Sequence, residues 1–321
     1  MLTRTLGRTG LQVSVLGFGC GAVGGLMVRG DPPEQERTVA RALELGVTYF
    51  DTAPSYGHGE SERNLGRVLA ALKPDIRIGT KVRLRAEEKG DIAKAAATSL
   101  EASLRRLGRD SVDILHLHNA ITASGSGETL TPEMVLNDVV PAFDALRHQG
   151  KTRFIGITAV GETPCLHKIA DSGAFDTAQI SYNLLNPTAA GARPRSASVQ
   201  DYAGLLQRMR AARMGAIGIR ILAGGALSGS AERHPIASPP PEPIGSGPDY
   251  ATDMAQAVRF QPLLAEAGAA TLAELAVRFA ISEELIATAL IGIATSEQFE
   301  HAAQAALKGP LPPALLARLQ Q

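Results

Sequence analysis

No tryptophan occurs among the 321 residues, so no pocket here is walled by indole rings. Only two cysteines are present, Cys20 and Cys165, far apart in the chain. They match no metal-ligand spacing and make a poor disulfide scaffold, which points to a reduced, cytoplasmic setting. Net charge is also missing, since 32 basic residues balance 32 acidic ones. Nucleic acid, polyanions and anionic membrane surfaces need a positive field, so none of them is expected as the main partner. No stretch reaches the roughly 20 apolar residues that span a bilayer. Arg and Gly interrupt the N-terminal segment every few residues, leaving no apolar run of the kind a signal peptide needs. No His, Cys, Asp or Glu cluster has metal-ligand spacing, and no obligate protein partner is evident.

What is present is an apolar fraction of 45%, enough for a large core. Short runs rich in Ile and Val alternate with stretches of helical spacing. Strands are expected at Val13–Gly19, Thr48–Asp51, Ile76–Lys81, Val112–His116, Phe154–Ile157, Thr177–Ile180, Ala216–Ile219 and Ile286–Ile291. Helices are expected at Glu34–Leu45, Ser61–Ala71, Ile92–Leu107, Pro132–Gln149, Pro164–Asp171, Val199–Ala212, Asp253–Ala267, Leu272–Ile281 and Ser296–Ala306. Such alternation implies right-handed crossovers and a parallel sheet. Eight units in this length point to a closed (β/α)8 TIM barrel occupying residues 1–321 as one domain. An open doubly wound sheet is the alternative, but no close GxGxxG turn follows the first strand. Two connections are long, Asn119–Thr131 after the fourth strand and Ser228–Ala251 after the seventh. Both leave strand C-terminal ends, the catalytic face of such a barrel.

The stretch YFDTAPSYGHGESERNLG ends an apolar run in Asp51 and places Tyr56 in the turn beyond it. Lys81 closes the third strand, and His116 and His118 close the fourth. Singly, each has a plain structural explanation: a turn cap, a surface ring, a snorkelling lysine, a core imidazole. Together they put a carboxylate, a phenol, an ammonium and an imidazole at three adjacent strand ends. That set permits proton transfer at a carbonyl. A free phenol is a weak acid at neutral pH, and a neighbouring ammonium is expected to lower its pKa. With no metal cluster visible, a nicotinamide cofactor is the plausible hydride source.

These motifs resemble the aldo-keto reductase family over nearly the whole chain. RTLGRTGLQVSVLGFGCG resembles its N-terminal β-hairpin and first strand, FDTAPSYGHGESERNLG its signature, and IGTKV its lysine strand. SVDILHLHNA resembles its D-x-x-x-x-H element, in which counting from Asp113 selects His118. GKTRFIGIT, AQISYNLLN, AGGALSG and IGIATSEQFE resemble its later segments. The resemblance implies a tetrad of Asp51, Tyr56, Lys81 and His118, with Tyr56 as general acid and base. It implies cofactor contacts from Gly19, Cys20, Asp51, Thr158, Gln179, Arg220, Leu222, Gly224, Gly225, Leu227, Gly229, Thr295, Ser296 and Gln298. His116 is expected a layer deeper, as a core histidine.

The departures shape the remaining expectations. Ala159 stands where the family often has Asn. Ile219 and Arg220 stand where an aromatic often stacks on nicotinamide; Arg220 could stack, reach an anion, or close the barrel end in an ion pair. Gln298 replaces a frequent Arg near the adenosine end, where a 2′-phosphate wants positive charge. Both NADP(H) and NAD(H) therefore stay open as cofactors. The expected substrate is a small aldehyde, hydroxy-ketone or sugar, or the matching alcohol. An enzyme working mainly as a sugar 1-dehydrogenase and a regulatory barrel with little turnover are the competing readings.

Overall fold

The computed structural model describes residues 1–230 and 232–320; Ala231, inside the expected long loop Ser228–Ala251, lies outside the described residues. The chain opens with a hairpin of β1 (Thr3–Thr5) and β2 (Gln12–Ser14), paired antiparallel. Eight strands follow: β3 (Leu16–Gly19), β4 (Tyr49–Asp51), β5 (Arg77–Val82), β6 (Val112–Leu117), β7 (Thr152–Thr158), β8 (Thr177–Ser181), β9 (Gly215–Ile219) and β10 (Ile286–Gly292). They pair in parallel in sequence order, and β10 closes on β3. This is the expected (β/α)8 barrel.

The helices are α1 (Leu26–Arg29), α2 (Pro32–Glu44), α3 (Glu60–Leu72), α4 (Ile92–Leu107), α5 (Pro132–Met134), α6 (Val140–His148) and α7 (Thr163–Ser172). The rest are α8 (Leu205–Ala211), α9 (Tyr250–Ala257), α10 (Leu264–Ala267), α11 (Leu272–Ser282), α12 (Ser296–Leu307) and α13 (Pro313–Leu319). The longer ones are amphipathic, and α2 shows why they start where they do: Asp31 accepts the Glu34 amide and Pro32 needs no partner.

Four expected elements are divided or shortened. Val13–Gly19 is two strands, because the chain bends at Val15 from the hairpin into the barrel and Ser14 Oγ donates to the Leu16 carbonyl. Val199–Ala212 becomes helical only at Leu205. There Asp201 accepts the Ala203 amide in a tight turn, and Ala203 and Gly204 take positive φ. Asp253–Ala267 is broken by a 3₁₀ segment, Val258–Leu263, around Pro262, which has no N–H to give. A π turn at Val135–Val139 divides the helix expected at Pro132–Gln149.

Strand alternation sorts the barrel wall into two environments. Phe18, Phe50, Ile78, Leu115, Ile155 and Ile180 point outward into the layer shared with the helices. Tyr49, Ile114, Ile217 and Leu290 point inward, where they meet Leu6, Leu11 and Val13 of the hairpin segment. The hairpin therefore stoppers the barrel bottom. Leu6 is fully buried, and a Cβ on Gly215 would come 2.7 Å from it, which is why β9 begins with glycine. Arg4 fixes the plug by donating to the carbonyls of Ile281, Glu283 and Ile286. The interior is thus apolar at the bottom and changes character upward.

Candidate active site

The upper interior is polar because the inward positions of successive strands become so. β4 turns Asp51 inward after Tyr49, β5 turns Lys81 inward after Gly79, and His116 pairs beside Lys81 on β6. Lys81 is completely buried, and its ammonium donates to Asp51 and to the Thr52 carbonyl at 2.8 Å. The other Asp51 oxygen accepts the Gln179 amide. The Lys81 Nζ lies 4.7 Å from the centre of the Tyr56 ring. The His118 ring meets Tyr56 edge-on, 6.0 Å between centres. Asp51, Tyr56, Lys81 and His118 thus converge at one end of the barrel.

Support for this group comes from residues that sequence reasoning passed over. Tyr56 sits in a turn whose successors Gly57, His58 and Gly59 all have positive φ, which lets the chain reverse tightly into α3. Gly21 faces the ring, and a Cβ there would touch it at 3.7 Å. Behind the site, Glu62 is buried, accepting from Thr80 at 2.6 Å and from Arg106 at 2.6 Å. Only its place in the E-x-x-L-G stretch could have marked it.

The electrostatics correct one expectation. Burial raises the Tyr56 phenol above its ordinary value, and the neighbouring Lys81 charge only partly offsets this. The phenol therefore stays protonated at neutral pH. Burial also works against the Lys81 ammonium, but Asp51 and Tyr56 outweigh it and hold Lys81 above its usual value.

Both histidines are neutral. Burial first, then the Lys81 charge, pushes His116 far down, and the same causes with Arg83 bring His118 to about 3. His116 is fully buried, with Nε2 3.1 Å from the Thr177 hydroxyl, in a space that a Gly156 side chain would fill. His118 keeps Nδ1 without a hydrogen-bond partner among the described residues. An unfolded chain restores both to about 6.5, so between that value and the folded ones it binds more protons. Stability is therefore full above about pH 6.5 and falls as pH drops, by up to about 1.4 kcal/mol per pH unit for each histidine. Urea unfolding should show this decline, and an equal unfolding free energy at about pH 7 and about pH 5 would exclude it.

The remaining positions spread around the barrel mouth. Thr158 and Gln179 are adjacent in register, 3.4 Å apart through their side-chain oxygens. Arg220 has φ 57°, and its carbonyl is fixed by Asn183 and the Ala223 amide at 2.9 Å and 2.8 Å. Its guanidinium makes no ion pair among the described residues; burial lowers its pKa against the attraction of Tyr56 and Asp253. The ion-pair closure considered for Arg220 is thus not formed. The turn from Leu222 to Gly229 carries positive φ at Gly224, Gly225 and Gly229, with Leu227 buried beneath. The long loop lies directly on it. Arg233 donates to the Gly224 carbonyl at 2.7 Å, and Arg29 reaches the Ile236 carbonyl at 2.6 Å.

Two positions stand apart from this rim. Gly19 ends β3 beside Asp51, but the Cys20 side chain points into the layer between barrel and helices, where burial raises its thiol pKa. The buried Asn119 amide holds Leu84 and the Glu128 carbonyl, folding the Asn119–Thr131 loop on itself.

At the last barrel unit, Thr295 caps α12 by accepting the Gln298 amide, and the Gln298 side chain folds back to the Ala294 amide at 2.8 Å. The Ser296 amide donates to Glu34 of α2 at 3.0 Å. Among the described residues no cluster of His, Cys, Asp and Glu could hold a metal ion, and no helix is long and apolar enough to cross a membrane. The donors at the mouth suit an organic nucleotide instead: paired amide and hydroxyl groups at Gln179 and Thr158, bare glycine backbone, and an unpaired guanidinium.

Comparison with known proteins places this arrangement among relatives. The model of the Aldo/keto reductase family matches residues 15–321. The chain is 38% identical over 160 residues to L-galactose dehydrogenase of Arabidopsis thaliana, covering 49% of this chain and 48% of that protein. It is 27% identical over 333 residues to L-glyceraldehyde 3-phosphate reductase of Escherichia coli, covering 95% and 87%. Against the first relatives it matches, the chain spans about half of their length, 48% and 51%. The solved holo form of an aldo-keto reductase from Bacillus halodurans superposes with a TM-score of 0.73 at 23% identity, over 100% of this chain and 97% of that one.

Proposed function

Because this chain belongs to the aldo/keto reductase family, whose members are nicotinamide-dependent oxidoreductases, we propose that it interconverts a small aldehyde, ketone or sugar carbonyl with its alcohol, using NADP(H) or NAD(H). The reading rests on one observation above the others. A fully buried lysine, paired with Asp51, sits under the ring of a tyrosine whose edge meets a neutral histidine.

The nucleotide, when bound, supplies or accepts the hydride. Thr158 and Gln179 would hold its ring amide, and Arg220 with the Leu222–Gly229 turn its phosphates. Tyr56 gives a proton to the carbonyl oxygen in reduction and takes one back in oxidation. Lys81, kept charged by Asp51, stabilises negative charge on the phenol oxygen. His118 is neutral and offers one N–H to the carbonyl oxygen, which orients the carbonyl without putting a full charge beside Lys81. The protonated Tyr56 is in the form that the reductive step uses.

The match to a protein named L-galactose dehydrogenase favours a second reading, oxidation of a sugar alcohol function. Titrating the purified chain with NADPH and with NADH, by nucleotide fluorescence, tests the cofactor part. One or both should saturate with a single site. If neither binds, the oxidoreductase reading fails, and with it the roles given to Thr158, Gln179 and Arg220.

A further inference from the structure

We infer that Glu34 is a specificity residue that makes this protein select NADH over NADPH. The inference rests on the proposed nucleotide binding and on the family resemblance, by which α12 begins at the adenosine end of the nucleotide. A helix start is ordinarily a place for an anion, since its first amides lack partners and the helix dipole is positive there. A 2′-phosphate would need those amides or a nearby cation.

Here two of those amides, at Ser296 and Gln298, are occupied by the protein itself, and only that of Glu297 between them has no partner among the described residues. The Ser296 amide donates to Glu34 Oε1 at 3.0 Å, and the Gln298 amide donates to the Thr295 hydroxyl at 3.2 Å. The Ser296 hydroxyl is bonded to Thr38, one turn along the same helix as Glu34. The Gln298 side chain is turned back onto Ala294 and cannot reach outward as it stands. Arg41, the cation held between α2 and α12, already grips Glu300 with two hydrogen bonds, 2.9 Å and 3.1 Å, and Glu44 with a third.

The consequence is a carboxylate beside the helix start that a 2′-phosphate would approach. Two like charges a few ångströms apart repel strongly at a partly buried site. The same carboxylate suits a ribose that carries only hydroxyls, because its second oxygen has no partner among the described residues and can accept from a 2′-OH. Glu34 was invisible to sequence reading because its partner lies 262 positions away.

The experiment is a binding titration of the full chain with NADH and with NADPH, repeated on Glu34→Gln and Glu34→Ala, with melting temperatures recorded. In the unaltered protein NADH should bind at least about tenfold more tightly than NADPH. Glu34→Gln removes the charge, keeps an oxygen for the Ser296 amide, and should narrow that ratio mainly by tightening NADPH. Glu34→Ala should also weaken NADH. Equal or tighter NADPH binding in the unaltered protein overturns the inference, and would mean that a cation such as Arg37, exposed one turn along α2, turns in. A ratio unchanged in Glu34→Gln, with only a lower melting temperature, also overturns it and leaves Glu34 as a helix cap. If the variants fail to fold, competition on the unaltered protein decides: AMP should displace NADH better than adenosine 2′,5′-bisphosphate, and the reverse order refutes the assignment. Binding of neither dinucleotide overturns the cofactor reading itself.

Discussion

Replacing Tyr56 by phenylalanine is expected to leave nucleotide binding within about twofold and to lower turnover by a factor of about 100 to 10,000, the range a positioned general acid contributes. The ring and its packing against Lys81 and His118 persist in the variant, so only the hydroxyl is lost. The measurement is steady-state reduction of an aldehyde beside a nucleotide titration of the same preparation. Turnover close to the parent would remove Tyr56 from the chemistry. The pH profile gives a second check. Burial raises the phenol pKa, so the proton needed for reduction is present from neutral pH upward and is lost only above the ordinary phenol value of about 10. Oxidation needs the phenolate and should accelerate with rising pH over the same range. A reduction rate that fell across neutral pH would point to another acid.

Lys81→Met is expected to damage both stability and catalysis. Lys81 is fully buried, and Asp51 beside it is nearly so. Removing one partner leaves the other as an uncompensated buried charge, which costs about 3–5 kcal/mol. Urea unfolding measures the loss. The double variant Lys81→Met with Asp51→Asn separates the two roles, because it removes both charges and keeps an oxygen for the Gln179 amide. Most of the stability should return and the turnover should not. A single variant as stable as the parent would mean that Asp51 is protonated or hydrated in the fold.

The barrel was legible because its signal is local. Inward and outward positions alternate along each strand, and a polar residue at an inward position near a strand end stands out against an aliphatic run; Lys81 in RIGTKV is the clearest case. The order of the units then fixed which strand ends are neighbours. What could not be read depends on residues far apart. Asn119 follows His118 as the first residue of a long connection, yet its amide is tied to Leu84 and Glu128. Arg220 could not be placed without Asn183, whose amide fixes its carbonyl. The shift of the Tyr56 pKa was misjudged in sign because the lysine is visible in sequence and the burial is not. Helix starts failed where a side chain made its own turn, as at Asp201 before α8.

The stopper formed by β1 and β2 has a kinetic consequence. Leu6, Leu11 and Val13 seal the barrel floor, so no route leads from the polar upper interior out through the bottom. Under the proposed reaction, reactant and product would therefore both pass the rim, where Arg29 and Arg233 fasten the long loop. With the floor closed to traffic, whatever settles deepest would arrive before its partner and depart after it.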